Sequence, residues 1–436
     1  MKKQGYLVSI FLSIWLISPA LAVVTWTGGT DSSWHTGANW SGGAVPTNSD
    51  DVVIDTAATV TASSAIAGKS LTLSNGGGLT ISVSYTLLDT TLSSGGTLHS
   101  STVGTSVYLD GKFTQSGGWL YFGNSAASTA TITGGILLNN SNDNRGTVIG
   151  NNYGATVNLG EANGATTKWN VTALGLGIRF SNETTLGQLN MTGGTLVVSS
   201  ERLLTDWYGL MIGVTDVDNR YANGELNLSG GIVNVLPGSN NGFVGVGGVK
   251  ATSSTLHVGR PTGKLNISSG QLNAETLKVA FHGENSQGTV TLSDSGVLRV
   301  RTLNTSDTKG TATYNWNGGT LVMTNYTGDF TNTGTTLAPE TWIFSGENYQ
   351  QESLYGTTTI DGDYTQNSGK LSLDVAFDEA GTVVNQDFFL VTKDLDLAGG
   401  ELFLNLTTEA DTVLDGLMFF PFESGSTTFT RLNLGD

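Results

Sequence analysis

Cysteine is absent from the 436 residues. No disulfide, thiolate nucleophile or cysteine-type zinc site can form, so stability must come from burial and hydrogen bonding. Proline is scarce, with six residues, and charged residues make up only 13% of the chain. Lys and Arg number 19 against 36 Asp and Glu, a formal net charge of −17. Such a chain is repelled by nucleic acid and by anionic lipid surfaces. Polyuronates are disfavoured as ligands for the same reason, unless cations bridge them. Four histidines, His35, His99, His257 and His282, lie far apart, and HExxH and CxxC motifs are missing. Beyond residue 22 no run repeats with helical period.

The first 22 residues, MKKQGYLVSIFLSIWLISPALA, read as a secretory signal peptide. Lys2 and Lys3 give a basic start, and Leu7 to Ile17 is apolar but short for a bilayer span. Pro19 and the small residues of ALA place cleavage after Ala22. No second apolar segment follows, so the expectation is a secreted chain without membrane insertion once the signal is removed, in the extracellular space or at the cell surface.

Glycine is abundant, at 60 residues, and it recurs in a phrase. GQLNMTGGTLVVSS begins at 187, GELNLSGGIVNVLP at 224, GKLNISSGQLNAET at 263, GTVTLSDSGVLRVR at 288 and ATYNWNGGTLVMTN at 312. Positions three and five are apolar, for example Leu226 and Leu228; a glycine pair follows; then a second alternation, for example Val233 and Val235. Alternation with period two means strands with one buried face. Glycine suits the corner between them because it accepts positive φ. The starts are 37, 39, 25 and 24 residues apart. The shorter spacings fit one solenoid coil, and the longer ones a coil with a loop or nearly two coils. A further copy at 393–404 fills the same slots, and looser ones occur at 111–122, 128–138 and 362–373. A propeller needs about 40–45 residues per blade, so a parallel β-solenoid is the simpler architecture. In it, Leu226, Leu228, Val233 and Val235 point inward while Asn227 and Asn234 point out. The Asn at position four (Asn190, Asn227, Asn266, Asn315, with Thr291 in the fourth copy) either ladders along the stack or sits on the solvent face beside a turn.

Composition divides the mature chain. Residues 23–56 hold Trp26, Trp34 and Trp40, which read as an N-terminal cap over the open solenoid end or as a sugar-stacking platform. The solenoid follows over 57–325. Residues 326–361 lack the phrase and read as an insertion or change of register. Residues 362–436 read as further coils and a C-terminal cap.

The opening TWTGGTDSSWHTGANWSGGAVPTNSDDVVI resembles the start of large secreted bacterial proteins with autotransporter-associated β-strand repeats, common in Planctomycetes and Verrucomicrobia. GDYTQNSGKLSLDV and DLDLAGGELFL resemble the repeats themselves. The resemblance implies a right-handed parallel β-helix, export, and a part in adhesion or surface structure, and it does not imply an enzyme. Unlike autotransporters, the sequence shows no membrane barrel, with six residues after Thr430, and it lacks the family's Pro-Glu-Pro sorting tail. Release, retention by partners, or an incomplete sequence each fit this departure.

Candidate chemistry is sparse. GVGGVK at 245–250 lacks P-loop spacing and reads as a solenoid corner. Close acidic pairs are Asp50–Asp51, Asp216 with Asp218, Asp361 with Asp363, and Asp378–Glu379. In TDVDNRY at 215–221, Asp216, Asp218 and Asn219 offer three oxygens to a weak Ca²⁺ site, without the Gly and distal Glu of an EF-hand loop. No other cofactor is expected, and no catalytic residue stands out. Trp119, Trp207 and Tyr208 are candidate glycan-stacking residues. The expected function is a non-enzymatic structural or adhesive solenoid with cell-surface or matrix glycans or proteins as partners. The alternatives are a carbohydrate-active β-helix, lyase or glycosidase, and a glycan-binding module. An enzyme of this shape needs carboxylates from different coils converging in a groove beside an Arg or Lys; acidic residues scattered over loop tips fit a scaffold.

Overall fold

The computed structural model describes residues 23–408 apart from 84, 88, 93–96, 101–104, 110–111, 116–119, 124–126, 133–134, 140–145, 162–165, 179–183, 200–208, 216–220, 238–241, 250–259, 306–307 and 379–381, together with 422–423 and 432–434. The signal-peptide reading of 1–22 lies outside the described residues.

Period-two alternation builds strands, and the strands stack in parallel. Gly187, Gly224, Gly263, Gly288 and Ala312 stand in one row, each the register partner of the next. Each copy of the phrase is therefore one coil further along a parallel β-solenoid. The spacings of 37 and 39 residues are single coils carrying insertions. A coil has three strands. In one of them, 187–191 leads through the glycine corner to 195–198, and Leu210–Thr215 completes the turn before 224. The second of the three columns runs from Val23–Thr25 to Leu432–Leu434 through successive parallel pairings. At about 4.8 Å per rung this makes a rod on the order of 70 Å long.

The inward set is as the alternation requires. Leu226, Leu228, Val233 and Val235 are buried in one core that is continuous along the rod. Each such side chain stabilises the fold by about 1.5–3 kcal/mol. The core changes character near the C-terminal half. Trp316, Phe330 and Tyr364 stack with centroids 5.7 and 5.8 Å apart, where Leu292, Ile267 and Leu228 occupy the row in the coils before Trp316.

Glycines at positive φ bend the coil at two places. The phrase's glycine pair supplies one, with Gly231 at φ 79°. Another lies within the third strand, where Gly213 adopts φ 61°. A Cβ on Gly213 would lie 1.8 Å from the carbonyl oxygen of Thr262, so no other residue fits there without moving the backbone.

Outside the rod the asparagines ladder. Asn190 Nδ2 donates to Asn158 Oδ1 at 2.9 Å, Asn227 to Asn190 at 2.9 Å and Asn266 to Asn227 at 2.8 Å. Asn315 donates to Thr291 Oγ1 at 3.2 Å. Asn190 and Asn227 each donate to the coil before and accept from the coil after, using both ends of the amide.

The N-terminal tryptophans are buried. Trp26 and Trp34 each meet Trp40 edge-on, at 5.0 and 4.8 Å. Trp40 Nε1 donates to the Trp34 carbonyl at 2.7 Å. Ser33 pairs with Thr61 in a parallel bridge, so this segment covers the edge of the third column's first strand, Thr59–Ala62. Buried Asn39 pins the loop by accepting from the Thr30 and Asp31 amides and donating to Asp31 and to the Ser33 carbonyl. With the rings inside, these tryptophans offer no stacking platform to a sugar.

Within 326–361, Phe330–Leu337 and Thr357–Asp361 continue the parallel ladders. Thr341–Ser345 and Asn348–Ser353 leave them as an antiparallel hairpin.

Leu228→Asp should abolish the folded state, because an unpaired carboxylate would enter an apolar interior; loss of the β-sheet circular dichroism signal checks it. Asn227→Ala orphans a donor on Asn266 and an acceptor on Asn190, and should cost about 1–3 kcal/mol. Asn315→Ala, at the end of its run, should cost about half as much, as read from denaturant midpoints.

Candidate functional site

The hairpin borders a large recess. Gly346 and Glu347 form its two-residue turn, with Gly346 at φ 63° as such turns require. Its strands alternate. Trp342, Phe344 and Tyr349 are half-buried while Ile343 and Gln350 face outward. Phe344 and Tyr349 are cross-strand partners with rings 5.8 Å apart.

The hairpin lies back along the rod, across the outer side of the second column. The Glu347 carboxylate takes Asn170 Nδ2 at 2.7 Å and pairs with Lys168. The Glu347 carbonyl accepts from Asn234 Nδ2 at 3.1 Å, and Tyr349 Oη donates to the Val235 carbonyl at 2.8 Å. Burial raises the Tyr349 phenol above its usual range. Nearer the root, the Arg299 guanidinium sits 3.8 Å from the centre of the Trp342 ring and 3.9 Å from Glu340. Burial pulls the Arg299 guanidinium below its ordinary value and Glu340 opposes that pull. Trp342 Nε1 donates to Glu340 at 2.6 Å, and Arg301 Nε pairs with Glu275 at 2.9 Å.

Asn234 therefore points away from the solenoid interior, as expected, yet it is 2% exposed. The hairpin covers it together with its row neighbours Val197, Asn273 and Val322. Asn273 donates to Asn234 Oδ1 at 2.7 Å, a short second ladder under the hairpin.

Between the hairpin's far side and the solenoid opens a groove of about 500 Å³. Trp342, Tyr355 and Phe388 contribute rings; Asn385 and Gln386 contribute amides; Glu340, Glu352 and Arg301 line it too. Phe388 is 43% exposed. A smaller cavity of about 40 Å³ adjoins it beside Glu275, Arg299 and Tyr349. Three carboxylates thus approach two arginines. They come from one coil and one insertion, and Glu275 and Glu340 are engaged by Arg301, Trp342 and Arg299. The arrangement can hold a polar, ring-shaped ligand.

Asp387 lies beneath this region, 1% exposed. Its two oxygens accept the Gly356 and Asp374 amides, both at 2.7 Å, and tie three segments together. Burial pushes its carboxyl up to about 7, against the pull of those two hydrogen bonds.

The sites expected from sequence fall elsewhere. Asp216, Asp218 and Asn219, the possible Ca²⁺ ligands, and Trp119, Trp207 and Tyr208, the possible glycan-stacking residues, lie outside the described residues. Among the described residues no group of three or more His, Asp or Glu side chains is placed to hold a metal. Asp50 and Asp51 bind neighbours locally: Asp50 accepts from the Thr47 amide and hydroxyl, and Asp51 from Ser70 Oγ. Asp361 and Asp363 accept from Thr392 and the Asp394 amide on the next coil. Gly247, in GVGGVK, bends a solenoid strand at φ 59°.

A family model described as a domain of unknown function (DUF8693) matches residues 25–107, the tryptophan cap and first coils, well short of half the chain. No curated protein and no solved structure matches the chain.

Sequence reasoning missed the hairpin and its groove. A signal existed. Leu196–Val198 and Leu321–Met323 are three apolar residues in a row, which is the mark of strands covered on both faces. What covers them is not readable from the runs themselves.

The Asp387 carboxyl sits above its unfolded value near 4. Its contribution to stability is full below that value and is lost as pH rises to about 7, at most roughly 4 kcal/mol. The melting temperature should therefore fall between pH 4 and 7.5 more steeply in the parent protein than in Asp387→Asn.

Proposed function

We propose that this protein is a secreted, non-enzymatic structural or adhesive β-solenoid that works at a bacterial cell surface or in the extracellular matrix, with surface or matrix glycans or proteins as partners. The reading is carried by how its polar side chains are used. The asparagines pair with each other from coil to coil, and Glu275 in the adjoining cavity and Glu340 in the groove are engaged by their own chain's Arg301, Trp342 and Arg299. A rod of this kind presents a long rigid face and spends its charges on its own architecture. The strongly negative balance agrees with partners that are neutral or basic. Export rests on the N-terminal segment, and adhesion on the resemblance of the repeats.

The approach of Glu275, Glu340 and Glu352 to Arg299 and Arg301 favours a second reading, a carbohydrate-active β-helix. One experiment separates the two. The purified protein is incubated with a panel of neutral and anionic polysaccharides, and retention on the polymer is measured beside release of reducing ends or unsaturated products. Retention without products is expected. Product release that disappears in Glu340→Gln would replace the adhesive reading with the enzymatic one.

A further inference from the structure

We infer that the groove beside the hairpin is a binding site for a neutral glycan chain. The inference deepens the adhesive reading by giving it a site and a ligand class, and it can stand or fall separately.

Four observations converge on it. The groove, about 500 Å³, lies within the range of pockets that take small organic ligands, about 300–1,000 Å³. Its wall mixes two kinds of surface in similar measure: the rings of Trp342, Tyr355 and Phe388, and the planar polar groups of Asn385, Gln386 and Glu352. A pyranose has the matching duality. Its axial C–H groups form an apolar face that packs on an aromatic ring, and its equatorial hydroxyls are donors and acceptors at the rim. Side-chain amides and carboxylates answer those hydroxyls in pairs. An aliphatic ligand would leave the amides and carboxylates unpaired, at a cost in desolvation.

Charge selects among glycans. Across the groove and its adjoining cavity stand Glu275, Glu340 and Glu352 against Arg299 and Arg301. Arg301 is paired with Glu275 and Arg299 is stacked on Trp342. The local balance is slightly negative inside a chain at −17. A polyuronate or sulfated chain would meet repulsion, and the arginine on the groove wall, Arg301, already pairs with Glu275.

The ligand surface is also exposed where a monomer has reason to hide it. Phe388 at 43% and Ile343 at 41% are among the few large apolar side chains left open on the described surface, and both line the groove. The backbone beneath is held rigid. Asp387, next to Phe388, clamps Gly356 and Asp374, so the ring is presented on a fixed strand and little ordering is needed on binding.

The test is calorimetric titration with neutral hexasaccharides of β-1,4-glucose, β-1,3-glucose, α-1,4-glucose, β-1,4-mannose and β-1,4-xylose, with hexagalacturonate as the charged probe. At least one neutral hexasaccharide should bind, and hexagalacturonate should not. Phe388→Ala and Gln386→Ala should each weaken that binding at least tenfold with an unchanged melting temperature. Tyr153→Ala, a ring 48% exposed outside the groove, should leave it unchanged. No neutral binding at millimolar concentration, binding indifferent to Phe388→Ala and Gln386→Ala, or binding of the anionic probe alone would each overturn the inference. Retention on polysaccharides that persists in Phe388→Ala would leave the adhesive reading intact and remove this site from it. Cleavage of a bound hexasaccharide would keep the site and overturn the adhesive reading.

Discussion

Everything in this molecule depends on parallel backbone pairing between successive coils. A parallel ladder leaves every strand's side chains in vertical rows, so a residue type chosen once is repeated above and below itself. That single constraint explains the core, in which rows of Leu, Val and Ile stack on their own kind. It explains the glycine bends, because a bend in one coil abuts the backbone of another, as Gly213 abuts Thr262. It also explains why an asparagine outside the rod finds another asparagine at hydrogen-bond distance. A one-residue slip would turn every inward row outward at once.

The same constraint makes the ends and any interruption the costly places. An uncovered coil exposes apolar core and a bare strand edge. At the N-terminus three tryptophans and the buried Asn39 close the first strands, and the covering segment bridges to Thr61. The hairpin at 341–353 deals with a different problem. It interrupts the coil without breaking the ladder, since Asn325–Thr327 pair with 359–361 directly. Having left the rod, the hairpin is stabilised by lying along it, through Glu347 at its tip and Trp342 at its root. The recess on its far side gathers rings, amides and carboxylates from the hairpin and the adjoining coils.

Much of this was legible in the residues. Leu226 and Leu228 with Val233 and Val235 announced two strands and their inner face, because period two has only one structural meaning at that length. The glycine pair announced the corner between them. The repeated Asn left two possibilities open, and stacking in register selects the ladder: only when Asn190 and Asn227 are register partners can the amide of one reach the other. The third column was far less visible. Its strands, such as Leu210–Thr215 and Phe243–Val249, are buried on nearly every residue and show no alternation to read.

By itself the sequence determined the period, the inward rows, the turn positions and the absence of disulfides, since each depends on residues near one another in the chain. Only the tertiary structure decided the candidate site. Glu347 meets Lys168 and Asn170 across more than 170 residues, and Tyr349 meets Val235 across 114. Such contacts are set by where a hairpin leaves the rod and which way it folds back, and no local pattern encodes that direction. Val197 and Val322 recorded that something covers the outer face; the packing of Trp342 on Arg299 shows what does, because a cation and a ring from different coils can meet only once the rod has been built.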